Sequence, residues 1–163
     1  MLFRSVLAGH RAREGDDATR QVIDNVATCL FWALLLPIGA AAGVANLKLI
    51  DDLNLLENVR ETGAYFRAAM ADALADHPQV GEVRGEGMLC AVEFMEDKAA
   101  GRFYEPAGKV GPKLAAHMLE NGVIARAMPQ GDILGFAPPF CLTRAEADQV
   151  VGATAAAVKA VLG

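Results

Sequence analysis

Among the 163 residues, the side chain best suited to binding chemistry is Arg126, a guanidinium set in the otherwise uncharged run Val123–Met128. A guanidinium at a strand end can grip a carboxylate through two parallel hydrogen bonds, a geometry that an ammonium does not reproduce. The structural alternative is an edge arginine paired with Asp132 or Glu146, and the residue types by themselves favour that alternative. The remaining polar groups offer less. His10, His77 and His117 are too far apart for metal-ligand spacing. Gly85-Glu86-Gly87 lacks the helix start that a dinucleotide phosphate needs, so Gly85, Gly87, Gly131 and Asp132 are read as turn formers. Asp51-Asp52, Glu96-Asp97 and the pair Glu146 and Asp148 are read as solvated or capping charges rather than a general acid–base pair. Cys29, Cys90 and Cys141 are odd in number and widely spaced, so buried free thiols in a reducing compartment are expected.

The elements that must position Arg126 follow from local signals. Val123–Arg126 predicts a strand, and Pro129-Gln130-Gly131-Asp132 supplies turn chemistry. Ile133–Ala137 is a second short strand, stopped by Pro138-Pro139, which cannot donate to a sheet ladder. Thr143-Arg144-Ala145-Glu146 fits a capping box at the start of a helix running to Leu162. Upstream, Asn54 to Glu57 predicts a capped helix start, with apolar spacing to about Asp76. Val80–Arg84 and Met88–Phe94 predict two strands around Gly85 and Gly87, the second buried on both sides. Glu96–Pro106 is a charged loop, and Lys109–Asn121 a helix stopped by Asn121-Gly122. The order predicts an α+β fold: a small sheet of three to four strands with helices on one face, preceded by a long N-terminal helical region.

A net charge of −5, a pI near 5.2 and the lack of a basic cluster with interleaved aromatics argue against a nucleic-acid footprint. Val26–Leu47 carries no charge at all, close to the roughly 20 residues that a membrane span needs. It predicts either such a span, with Pro37 as a kink, or a buried helix whose second half begins with Pro37 at its first position. Met1–Asp24 shows little apolar periodicity and is set aside from fold reasoning.

Several of these signals recur together in one family. Arg126, Gly131-Asp132, Phe136-Ala137-Pro138-Pro139 and Leu142-Thr143-Arg144 resemble the C-terminal segment of class III aminotransferases, pyridoxal-phosphate (PLP) enzymes of fold type I. Arg84-Gly85-Glu86-Gly87-Met88-Leu89 with Glu93 resembles the family's glycine-rich strand pair, and Pro37-Ile38-Gly39-Ala40-Ala41-Ala42 the helix leading into the small domain. The resemblance runs from about Pro37 to the C-terminus, which divides the chain into a leader, 1–36, and an aminotransferase small domain, 37–163.

The resemblance implies amino-group transfer between an amine or amino acid and a keto acid or aldehyde, in a cytoplasmic homodimer with PLP. It implies that Arg126 binds the substrate carboxylate, with Gly131, Asp132, Phe136, Pro138 and Pro139 shaping the site. Trp32 stands where the family places a threonine that contacts the cofactor phosphate. None of Lys48, Lys98, Lys109, Lys113 and Lys159 lies in a sequence like that of the family's PLP-bearing lysine. This chain alone is therefore expected to hold no PLP and to be inactive. The alternative is a free-standing α+β module that binds a carboxylate or a partner chain, anchored to a membrane through 26–47.

Overall fold

A computed structural model describes residues 15–163, so the expectations for 1–14, His10 included, lie outside the described residues. The chain divides into two compact units, one ending at Ile50 and the other spanning Asp51–Gly163.

Among the described residues, the first unit consists of helix α1 (Asp16–Asp52), whose last two residues belong to the second. It begins ahead of the apolar run, so Asp16–Asp24, set aside on sequence grounds, is helical. Gly15 enters it at φ 87°, and the Thr19 hydroxyl donates to the Gly15 carbonyl at 2.9 Å. Pro37 lies inside α1 and not at its start. Apolar residues cover every side, the pattern of a helix that needs burial all round. Yet residues 20–49 are all exposed. By length and composition alone, this helix is long and apolar enough to cross a membrane.

The second unit contains α2 (Leu55–Leu74), β1 (Val80–Arg84), β2 (Cys90–Phe94), α3 (Gly111–Glu120), β3 (Arg126–Ala127), β4 (Ile133–Phe136) and α4 (Arg144–Leu162). The strands form one antiparallel sheet in the order β1-β2-β4-β3. Val92, Phe94, Leu134 and Phe136 turn one face of it toward Phe66 and Met70 of α2, Leu114 and Met118 of α3, and Val158 of α4. Phe66 meets Phe136 edge to face at 6.1 Å. The α+β architecture with helices on one face is therefore the one expected.

Three local expectations are corrected. β2 is buried on one side only: Met88, Cys90, Val92 and Phe94 face the core, while Leu89 is 60% exposed. An antiparallel sheet covered by helices on a single face leaves its other face open. Asn54 does not cap α2 with its side chain; it sits in the left-handed region at φ 49°, and only its backbone carbonyl receives Glu57 and Asn58. Arg126 begins its strand instead of ending one. The register Arg126↔Gly135 would set Val123–Ala125 against Pro138–Phe136, and proline has no N–H to continue the ladder.

The local stop and start signals hold. Gly122, at φ 78°, closes α3 with a Schellman motif in which Val123 N–H reaches Met118 O at 2.9 Å and Gly122 N–H reaches Leu119 O at 3.0 Å. The Thr143–Glu146 capping box is complete.

Candidate functional site

The open face of the sheet carries the site. Cross-strand register aligns Arg84, Ala91, Gly135 and Arg126 in one transverse row. Two arginines thus stand at opposite edges of a floor made of a methyl group and a bare backbone. A groove of about 670 Å³ lies over this floor, walled by Leu89, Ile124 and Met128. At Gly135 a Cβ would come within 3.2 Å of Met128 Sδ, so glycine keeps the space beside Arg126 open.

The two arginines differ in their engagement. Arg84 Nη1 donates to Glu93 at 2.6 Å and to Glu82 at 3.0 Å, and the Glu93 hydrogen bond is the main cause of its raised pKa. Arg126 is exposed, and its guanidinium makes no hydrogen bond or ion pair among the described residues. Both partners offered by the structural alternative are committed elsewhere. Asp132 accepts from the N–H groups of Gly108 (3.1 Å), Val110 (2.5 Å) and Gly111 (2.8 Å). Glu146 accepts from the N–H and hydroxyl of Thr143, which holds its carboxyl below the usual range. That leaves an unneutralised cation over a small-residue floor, the arrangement suited to an incoming carboxylate.

The other site candidates take these places. Gly131, at φ 78°, makes the turn between β3 and β4. Phe136 turns its ring into the core and also lines the groove. Pro138 and Pro139 line an adjoining hollow of about 540 Å³ with Val123 and Leu142. Sequence reasoning missed what holds these loops. Asn58 of α2 donates to Phe140 O at 2.6 Å and Leu142 O at 3.0 Å, while its own Oδ1 accepts from the Thr62 hydroxyl at 2.8 Å. Arg67 donates to Gly87 O, and Gly63 lets that turn approach so closely that a Cβ would lie 2.1 Å from the same oxygen. An asparagine and an arginine on a helix give no such signal without their distant partners.

Two thiols correct the cysteine expectation. Cys90 is buried, and burial pushes its thiol up to about 11; Cys29 and Cys141 are exposed. Cys29 sits on α1 and Cys141 in the loop after the prolines, neither covered. His77 and His117 lie near the ends of α2 and α3, and no metal-binding cluster occurs among the described residues.

All five lysines are exposed and none lines the Arg126 groove. Trp32 is 52% exposed on α1, stacked edge-on against Phe31 at 5.6 Å. These residues do not fit a covalently held PLP.

The family model for class-III aminotransferases matches residues 36–158, a stretch that contains the whole row from Arg84 to Arg126. The chain belongs to the class III aminotransferases. A diaminobutyrate–2-oxoglutarate transaminase from Halomonas elongata is 55% identical over 76% of this chain and 26% of its own length. A putrescine–pyruvate aminotransferase from Pseudomonas aeruginosa is 33% identical over 71% of this chain and 25% of its own. A solved transaminase from ancestral reconstruction is 54% identical at TM-score 0.74, covering 77% of this chain and 27% of that one. An (S)-enantioselective ω-transaminase from Thermomicrobium roseum gives 38% identity and TM-score 0.72, over 78% of this chain and 28% of its own. The chain thus spans about a quarter of the length of the aminotransferases it matches, 26% of the Halomonas enzyme.

Proposed function

We propose that residues 37–163 form the C-terminal small domain of a PLP-dependent class III aminotransferase, with 1–36 foreign to the family, and that Arg126 holds the substrate carboxylate. The observation that carries this reading is the unpaired Arg126 guanidinium beside Gly135 and Ala91, inside the region of family similarity. Arg126 binds and orients an α-amino or α-keto acid through two charge-assisted hydrogen bonds. Gly135 keeps the approach clear, and Gly131, Asp132, Phe136, Pro138 and Pro139 fix the walls. Trp32 takes no part in holding the cofactor phosphate. The cofactor and its lysine belong to the remaining length of an intact, dimeric, cytoplasmic enzyme, so this chain alone does not transaminate.

Grafting tests the reading. Residues 37–163 replace the matching segment of the Halomonas elongata transaminase, which is 55% identical. The reading expects a folded chimera that transfers amino groups to a keto acid. A folded, PLP-loaded chimera without that activity contradicts it.

A further inference from the structure

Arg126 opens a strand of two residues, so the sheet ladder does little to hold it. The backbone leading into it, at Val123 and Ile124, instead faces the loop that follows β4. The hollow of about 540 Å³ lies between them, with Pro138, Pro139 and Leu142 on the loop side. Where the guanidinium stands therefore depends on that loop.

The loop is held from α2. Asn58, Thr62 and Phe66 form one row along this helix at steps of four, and Val59, Gly63 and Arg67 form the next. The first row grips the loop after β4. Asn58 Nδ2 donates to Phe140 O at 2.6 Å and to Leu142 O at 3.0 Å, while Phe66 meets Phe136 edge to face. The buried Thr62 hydroxyl donates to Asn58 Oδ1 at 2.8 Å, which turns the amide nitrogen toward both carbonyls. The second row grips the turn between β1 and β2. Arg67 donates to Gly87 O, and Gly63 admits that carbonyl where no Cβ fits. Both segments border the Arg126 groove, the turn through Leu89 and the loop through Ala137.

We propose that Asn58 is a positioning residue for the substrate carboxylate: it ties the proline loop to α2, so that Arg126 meets the carboxylate already in place. The inference rests on the role of Arg126 given above, and Asn58 acts through the loop. One amide serves two carbonyls that lie two residues apart, which fixes the direction of the loop as well as its distance from α2. A loop ordered beforehand spares the substrate the cost of ordering it. The carboxylate contact is made in the ground state and the transition state alike, so weakening it raises KM and leaves kcat.

The test uses the PLP-loaded chimera described above, with kcat and KM measured for a keto acid and for a simple amine. Asn58→Ala should raise KM for the keto acid about 10-fold, leave kcat within about threefold, and leave the amine half-reaction as it was. Thr62→Val keeps both donors but frees the amide to turn, and it should raise the same KM about threefold. Thr62→Ser, which retains the hydroxyl, should match the parent. In an Arg126→Ala background Asn58→Ala should add less than about twofold, because the contact it serves is already gone.

A purely structural Asn58 gives a lower melting temperature and less active enzyme with KM unchanged, and that result overturns the proposal. So does an equal KM rise for keto acid and amine, or a full further rise in the Arg126→Ala background. A folded, PLP-loaded chimera without activity, or Arg126→Ala without loss on the keto acid, overturns the Arg126 role and this inference together. The expected Arg126→Ala loss beside an unchanged KM in Asn58→Ala overturns this inference alone. Should Asn58→Ala fail to fold, the two Thr62 variants decide, and equal KM values in both overturn it.

Discussion

The Asp132 carboxylate receives the N–H groups of Gly108, Val110 and Gly111, and its backbone carbonyl receives Phe94 N–H at 2.8 Å. One residue thereby joins the end of β2, the start of β4 and the first turn of α3. Carboxylates near a helix N-terminus also complement its dipole. Asp132→Asn keeps the shape but turns an amide toward donors, so a loss of roughly 2–3 kcal/mol is expected in urea unfolding. A loss below about 0.5 kcal/mol contradicts the role given to Asp132. Thiol chemistry at the same scale follows from burial. Ellman's reagent at pH 8 should label Cys29 and Cys141 quickly in the native chain, and Cys90 only on unfolding. Burial holds the Cys90 thiol near 11, which leaves little thiolate to react.

At the scale of elements, what was legible in the sequence was what neighbouring residues settle among themselves. The Thr143–Glu146 box, the Gly122 stop and the proline end of β4 each need only four or five consecutive residues. The capping of α3 was not legible, because its acceptor, Asp132, lies more than twenty residues further on. The brevity of β3 was hidden similarly: its apolar lead Val123–Ala125 looks like strand, but Pro138 denies it a partner. The Arg126 groove was half legible. Its cation stood out in an uncharged run, whereas its floor required the register that sets Ala91 and Gly135 side by side.

The capping box also makes a pH prediction. Thr143→Ala should lower the melting temperature by roughly 4 °C at neutral pH. Hydrogen bonds from Thr143 lower the Glu146 pKa in the folded chain, so this contribution is present above the unfolded carboxylate value of about 4.3. It is lost as pH falls through the depressed folded value. The difference between variant and parent should therefore shrink steadily below about pH 4. The alanine variant keeps the Thr143 N–H on Glu146, so a gap that stays constant into strong acid would show that the hydroxyl's bond to the Glu146 carboxylate contributes nothing.

At the scale of the whole molecule, the proposed roles give a segment spanning 26% of the Halomonas enzyme a substrate-binding arginine and leave the PLP-bearing lysine to the rest of that length. Incubation with PLP, borohydride reduction and mass spectrometry should find no stoichiometric pyridoxyl-lysine among the five exposed lysines. A single specifically labelled lysine would assign this chain a cofactor site of its own. The most direct measurement is made on the grafted enzyme, comparing kcat/KM for an α-keto acid with that for an amine lacking a carboxylate. Loss of a sheltered bidentate contact is worth roughly 2–4 kcal/mol, so Arg126→Ala should lower kcat/KM for the keto acid about 30- to 1000-fold. Arg126→Lys should recover only part of that loss. The half-reaction of the simple amine should change little. Equal losses for both substrates, together with a lower melting temperature, would make Arg126 a structural residue and contradict the account.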